Sequence, residues 1–161
     1  MRVVLDTSAI IYLNDFRLFD EIFTVSNVVD EVKDKINTLK LSGLSLKIID
    51  PSESSVKDIK EIAEKTGDLE KLSSTDIKVL ALAKEKSLSI VSDDYSIQNV
   101  AEKIGLSYIS LFNKKITNLI QWENYCENCK KFYDGVNTCP KCGSHLVRKP
   151  VGKEFIRTKN N

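Results

Sequence analysis

Strand-like and helix-like stretches take turns along the first 111 residues, and that alternation leaves the chain few architectures to fold into. Short runs at Val3–Leu5, Ile22–Val25, Leu46–Asp50, Leu88–Val91 and Leu106–Leu111 have strand length and strand composition. Helical spacing fills the gaps. A short run covers Ala9–Asn14, and Phe16–Phe19 reads as a turn carrying apolar residues inward. Ser26 or Asn27 can cap a helix whose apolar set is Val28, Val29, Val32, Ile36 and Leu39. Ser55-x-x-Asp58 opens another, closed by Thr66-Gly67-Asp68, and Ile97–Ile104 ends at Gly105. Between them, Ser73–Lys86 carries Ile77, Val79, Leu80, Ala81, Leu82 and Ala83, apolar nearly all round, and is expected to be buried. Strand–helix repetition of this kind predicts an α/β fold, a mostly parallel sheet with helices on both faces.

The first strand stops at an acid. Asp6 follows Val3-Val4-Leu5 and precedes Thr7-Ser8. The carboxyl ends of parallel strands form the rim where such sheets bind ligands. Asp93-Asp94 follows the Leu88–Val91 strand onto the same rim, Asp76 lies in the first turn of the buried helix, and Glu31 stands beside the apolar face of an earlier helix. Each acid has an ordinary explanation alone: an N-cap, a solvated helix acid, a first-turn acid, a turn. Together they crowd negative charge, which raises pKa values unless cations fill the gap. Hard divalent cations with oxygen ligands are suited to that place, and two ions about 4 Å apart can activate water against a phosphodiester.

The last quarter of the chain obeys a different constraint. Cys126-x-x-Cys129 and Cys139-x-x-Cys142 are separated by nine residues and use all four cysteines of the chain. The spacing predicts two knuckles holding one structural zinc, with four thiolates and no open position for water. A hairpin turning near Asp134-Gly135 fits the excursion between them. Redox chemistry is disfavoured by two such pairs so close together, and His145 reads as a surface residue. Lys130-Lys131-Phe132-Tyr133 mixes charge with aromatics, which suits phosphate contact and base stacking; the aromatics serve equally well as the module's own small core.

Net charge separates the two regions. From residue 120 onward eight basic residues face four acids, a net +4, whereas sixteen against nineteen leave −3 before it. An acidic body with a basic end suggests cation binding in one and a polyanion for the other, here through Lys130, Lys131, Arg148 and Lys149; a chance imbalance on a solvated surface is the plainer account. With 42% hydrophobic residues the 161-residue chain can bury a core. No apolar run approaches the roughly 18 residues of a membrane span, and no signal peptide is visible. The expectation is a cytoplasmic protein divided into an α/β domain at 1–112, a linker at 113–122, a zinc ribbon at 123–149 and a basic tail at 150–161.

Leu5-Asp6-Thr7-Ser8, the helical Glu31, Ser74-Thr75-Asp76 and Val91-Ser92-Asp93-Asp94-Tyr95 resemble the PIN-domain nucleases in order and spacing. With a four-cysteine ribbon and basic tail behind them, and the string from Ser92 to Val100, the chain is similar to the Nob family of endoribonucleases, which mature the 3′ end of small-subunit ribosomal RNA. The resemblance implies Asp6, Glu31 and Asp76 as ligands of Mg²⁺ or Mn²⁺. It leaves Asp93 and Asp94 open as the fourth acid, with the lean to Asp94, and makes Ser8 a support for Asp6. It implies cleavage of single-stranded precursor RNA, leaving 3′-hydroxyl and 5′-phosphate ends, with the small-subunit precursor as partner and no nucleotide cofactor. A non-catalytic RNA-binding assembly factor and a toxin-type PIN ribonuclease are the alternatives. A phospho-aspartate phosphatase is disfavoured, since position 8 is Ser8 rather than a second aspartate, and no Walker-type run is present.

Overall fold

The computed structural model describes residues 1–35, 43–112 and 118–155. The expected apolar positions Ile36 and Leu39, and the end of the basic tail with Arg157 and Lys159, lie outside the described residues.

Five strands, β1 (Arg2–Leu5), β2 (Glu21–Thr24), β3 (Leu46–Ile48), β4 (Ser89–Val91) and β5 (Tyr108–Ile109), form one sheet in the order β3-β2-β1-β4-β5. Every pairing in it is parallel. Helices α1 (Thr7–Tyr12), α2 (Ser26–Lys35), α3 (Glu53–Thr66), α4 (Ser74–Lys86) and α5 (Tyr95–Lys103) flank it. β1 is central, so Val3, Val4 and Leu5 are fully buried. The chain walks outward from β1 to β3, then crosses back to β4 on the other side of β1. That reversal makes the carboxyl ends of β1 and β4 the switch point of the sheet, where ligand crevices form. Leu5 pairs with Val91 there, and the Asp6 N–H donates to the Val91 carbonyl at 3.4 Å.

Caps decide where the helices begin. Asp94 accepts the N–H groups of Ser96 and Ile97, so α5 starts at Tyr95, two residues before the apolar spacing announces it. Ser52 likewise starts α3 ahead of Ser55. At α2 neither Ser26 nor Asn27 is the cap. Val25 supplies the first accepting carbonyl, and Asp50 takes both the N–H and the hydroxyl of Ser26, an acid from the end of β3 serving the helix N-terminus. α4 runs through the core with Val79, Leu80, Ala81, Leu82 and Ala83 fully buried, opened by a capping box between Ser73 and Asp76.

β6 (Asn118–Cys126), β7 (Lys131–Tyr133) and β8 (Val147–Phe155) make a second, antiparallel sheet in the order β7-β6-β8. Three expectations change here. Residues 118–122, read as linker, are strand. Residues 150–155, read as tail, are strand as well, pairing back along β6 past a bulge at Gln121/Trp122. The hairpin does not turn near Asp134-Gly135. It closes through the first knuckle, where Cys126 pairs with Lys131 and the Lys130 N–H, at φ +56°, donates to the Cys126 carbonyl. A knuckle is itself a tight turn, so it serves as the hairpin loop.

The small sheet is bolted to the large one. Asn99 of α5 donates to the Ile120 carbonyl at 2.8 Å and accepts its N–H at 3.0 Å. The same amide donates to Asp68, which is 2% exposed and also receives the Arg148 guanidinium at 2.5 Å. Arg148 stacks on Trp122, 4.5 Å from the ring centre. Gly67, at φ +73°, closes α3 directly under β6. A Cβ there would lie 2.1 Å from the Trp122 carbonyl oxygen, so only glycine satisfies both the turn and the contact. Among the described residues no helix is long and apolar enough to cross a membrane.

Candidate active site and metal centre

The rim acids are each held by a different element. Asp6 is the N-cap of α1, accepting the Ala9 N–H at 2.6 Å and the Ser8 hydroxyl at 2.8 Å. It is 5% exposed, and burial pushes its carboxyl above the ordinary aspartate range; hydrogen bonds from Ser92, Ala9 and Ser8 pull the other way, and the charge of Asp76 pushes it up again. Glu31 of α2 bridges two helix starts, taking the hydroxyl of Thr7 on one oxygen and of Thr75 on the other, both at 2.6 Å. Asp76 accepts the Ser73 N–H at 2.8 Å and its hydroxyl at 2.7 Å. It too is pushed up, first by burial and then by the charges of Asp94 and Glu31, against the two hydrogen bonds from Ser73.

Asp6, Glu31 and Asp94 therefore surround Asp76 closely enough to act on it or be acted on by it. Asp93 does not join them. Its carboxylate takes the Ser110 hydroxyl and, at 3.3 Å, the Phe112 N–H, tying the end of β4 to the segment after β5. Asp93 is thus held toward the segment after β5, whereas Asp94, the cap of α5, is the member of the pair whose charge acts on Asp76. Among the described residues none of the five acids is ion-paired to a lysine or arginine. An all-oxygen, uncompensated set suits a hard divalent cation. The carboxylates converge without closing up. Among the described residues only the cysteine group has three or more ligand atoms within 4.8 Å of one another.

That group is assembled. The Sγ atoms of Cys126 and Cys142 are 3.5 Å apart and those of Cys129 and Cys139 3.8 Å apart. Sulfurs at about 2.3 Å from a tetrahedral zinc would be separated by about 3.8 Å, and a disulfide would need about 2.05 Å. The Cys129 N–H donates to Cys126 Sγ at 3.3 Å. Asn128 donates to the Ser144 hydroxyl, which with the Ser144 N–H holds the Cys142 thiol below its usual range. Tyr133 bonds Cys139, pushing its own hydroxyl up to about 12. Tyr133 is thus turned toward the cysteines, and Phe132, still 45% exposed, packs on one side against Tyr125 with ring centres 4.8 Å apart.

The expected RNA-binding cations divide. Lys130 and Lys131 are exposed on the knuckle and β7. Lys149 lies 3.9 Å from the Tyr125 ring centre and 3.9 Å from Glu127. Arg148 is placed differently from the lysines: its Nη2 donates to the buried Asp68 and its guanidinium lies over Trp122, so it acts as a strut between the sheets. Sequence reading also missed a groove of about 480 Å³ on the β3 side of the rim, lined by Lys57, Lys60 and Lys78 with Asp50 and Glu53. Lys78, one turn beyond Thr75, donates to Asn27, one turn before Glu31. Nothing local marks these lysines; only the crossing of helices gathers them. Thr7, Thr75 and Ser92 had a detectable signal, a hydroxyl beside each acid motif, without an assigned role.

A family model described as the PIN domain of ribonuclease matches residues 3–85. The chain is 37% identical to the endoribonuclease Nob1 of Pyrococcus abyssi over 93% of its own length and 94% of that protein's. Against the endoribonuclease Nob1 of Archaeoglobus fulgidus the figures are 36%, 96% and 94%. A ribonuclease VapC1 of Thermoplasma acidophilum is 39% identical over 92% of this chain and 78% of its own.

Proposed function

The chain belongs to the PIN-domain ribonucleases and among them to the Nob1 endoribonucleases, and from that premise we propose a divalent-metal-dependent enzyme that cuts single-stranded precursor RNA at the 3′ end of small-subunit ribosomal RNA. One observation carries the chemistry: Asp6 is buried at the switch point of the sheet, Asp76 and Asp94 share its rim, and among the described residues no basic side chain neutralises them.

Asp6, Asp76 and Asp94 would hold Mg²⁺ or Mn²⁺. Such an ion supplies a Lewis acid that makes water nucleophilic and offsets charge on the phosphodiester. The chain's own groups orient the site. Ser8, Ser92 and the Ala9 N–H fix the Asp6 carboxylate; Thr7 and Thr75 fix both oxygens of Glu31, which then orders the water around the rim. The four cysteines would hold zinc, supplying most of the folding free energy of the ribbon. Lys130, Lys131 and Lys149 meet phosphates on the small-subunit precursor, contacts that position RNA and carry little sequence information.

The test is cleavage of a small-subunit precursor RNA with and without Mn²⁺, beside an Asp6→Asn variant. Metal-dependent cutting that the variant lacks supports the site; cutting unchanged in the variant removes it, and binding without cutting points to an assembly factor. The relative named ribonuclease VapC1 favours a second reading, the same chemistry on another RNA. Equal cleavage of unrelated single-stranded RNAs would select it.

A further inference from the structure

The strongest unused feature of the rim is aromatic. Tyr12, Tyr95 and Phe112 are 58%, 56% and 55% exposed, although each could bury a large apolar surface. Among the described residues four of the exposed large apolar side chains are aromatic; Phe132 lies against Tyr125 on the ribbon, and the other three lie on the segments that Asp6, Asp94 and Asp93 cap or hold. Tyr95 directly follows Asp94 and opens α5. The Phe112 N–H is held by Asp93. Tyr12 ends the six-residue α1 that Asp6 begins, about 9 Å along the helix axis at roughly 1.5 Å per residue. The rings of Tyr12 and Phe112 meet edge to face, centroids 5.9 Å apart at 65°. In that geometry the ring offering its edge has neither face against the other ring, and both residues are more than half exposed.

We propose that Tyr12, Phe112 and Tyr95 form a stacking platform for unpaired bases flanking the scissile phosphate, with Asp93 as the residue that positions Phe112. The proposal rests on the endoribonuclease reading and adds how single strands are selected. A base inside a duplex has both faces covered by its neighbours and presents none to a ring. An unpaired base stacks on any aromatic face whatever its identity, which gives strand selectivity without a sequence code. Rings also suit a rim already crowded with carboxylates, because they bind the base and add no charge. The division of labour between Asp93 and Asp94 follows: one acid of the pair faces the reacting phosphate and its neighbour anchors the ring beside it.

The test uses the full chain on an Asp6→Asn background, so that RNA is bound and not cut, with a single-stranded oligonucleotide carrying 2-aminopurine beside the mapped cleavage position. Stacking quenches the probe. Tyr12→Leu with Phe112→Leu, which keeps apolar bulk and removes the rings, is expected to abolish the quench and weaken binding roughly 5- to 100-fold. Phe112→Trp is expected to restore both. An abasic site at the probe position is expected to weaken the parent and leave the Leu variant where it was. Unchanged quenching in the Leu variant, or an equal loss on intact and abasic RNA, overturns the platform while leaving cleavage by the wild-type chain untouched. If the wild-type chain neither binds nor cuts RNA with any divalent cation, the endoribonuclease reading falls first and takes the platform with it.

Discussion

The chain carries two places suited to a metal, built in opposite ways. In the ribbon, four thiols from a 17-residue stretch already lie within 4.8 Å of one another. On the rim, Asp6, Glu31, Asp76 and Asp94 come from four separate helices or helix caps, and each is held by hydroxyls or N–H groups rather than by its fellows. The ribbon's only buried apolar-class residues among those described are Cys126 and Cys139, so a metal held there is expected to supply most of its folding free energy. The large sheet folds on a core of some two dozen buried apolar residues and tolerates its site at a cost. A metal that makes a fold can be read from local spacing, whereas a metal that a fold makes room for needs the fold first.

The largest way to test that contrast is to remove each metal separately. Structural zinc binds with an apparent 10–16 kcal/mol in small modules, about as much as a whole domain's stability. Chelation or Cys126→Ser should therefore unfold residues 118–155, read by the fluorescence of Trp122, the one tryptophan. Far-UV circular dichroism should keep its helical signal, because α1 to α5 all belong to the large sheet. Loss of both signals in one cooperative step would break the comparison. Removing Mg²⁺ or Mn²⁺ should leave both signals unchanged and stop cleavage.

Asp6→Asn comes next. It keeps the cap oxygen and the size of the side chain while removing the charge, so cleavage is expected to fall by about 10³- to 10⁴-fold, equivalent to about 4–5.5 kcal/mol of activation free energy. Thermal stability should not fall with it. A drop in both would mean that Asp6 serves the fold, as the cysteines do.

Between the two regions lies Arg148. Arg148→Leu strands Asp68 as a buried, unpaired charge, and breaking such a pair costs about 3–5 kcal/mol. The variant should release the ribbon from the body, seen as a separate Trp122 transition at lower temperature. Lys131→Gln should leave melting unchanged and lower the salt dependence of RNA binding, by about 0.7 in log–log slope for one phosphate contact on a single strand. If the two variants behaved alike, the assignment of Arg148 as a strut would fail.

Much of this was legible beforehand, for physical reasons that can be named. Period and composition revealed the five strands and the buried Ser74–Lys86 helix because hydrophobic spacing is a local signal. The cysteine site was local too. The edges of the ribbon were less so, since Ile120–Glu123 alternates apolar with polar for only four residues, Pro150–Gly152 shows no periodicity, and the two become strand by pairing with each other. Arg148 looked like any surface cation until Asp68, 80 residues earlier, came beneath it. Asp93 and Asp94 could not be told apart from spacing, because their difference is one of direction. The aromatic trio was invisible for a similar reason, being three residues spread over about 100 positions with no shared motif.

The smallest expected effect probes the cost of the rim directly. Burial, the largest influence on Asp6, raises its folded pKa above the ordinary 3.8, so above that raised value the folded chain carries a charge it disfavours and loses stability. Stability from this group is therefore gained as pH falls through the raised pKa and is fully present below 3.8. An amide in its place never ionises, so Asp6→Asn should melt above the wild type at neutral pH without divalent cations. Each kcal/mol corresponds to roughly 2–4 °C in a chain of this size. The difference should shrink on acidification and vanish below pH 3.8. Mn²⁺ should then invert the order at neutral pH, because a ligand at about 100 times its Kd adds about 2.7 kcal/mol to the chain that binds it and nothing to the one that does not. Differential scanning fluorimetry across pH, with and without Mn²⁺, reads all three signs. A variant less stable than wild type at every pH would mean that the Asp6 charge supports the fold, and the contrast between a site that builds its region and a site its region endures would be gone.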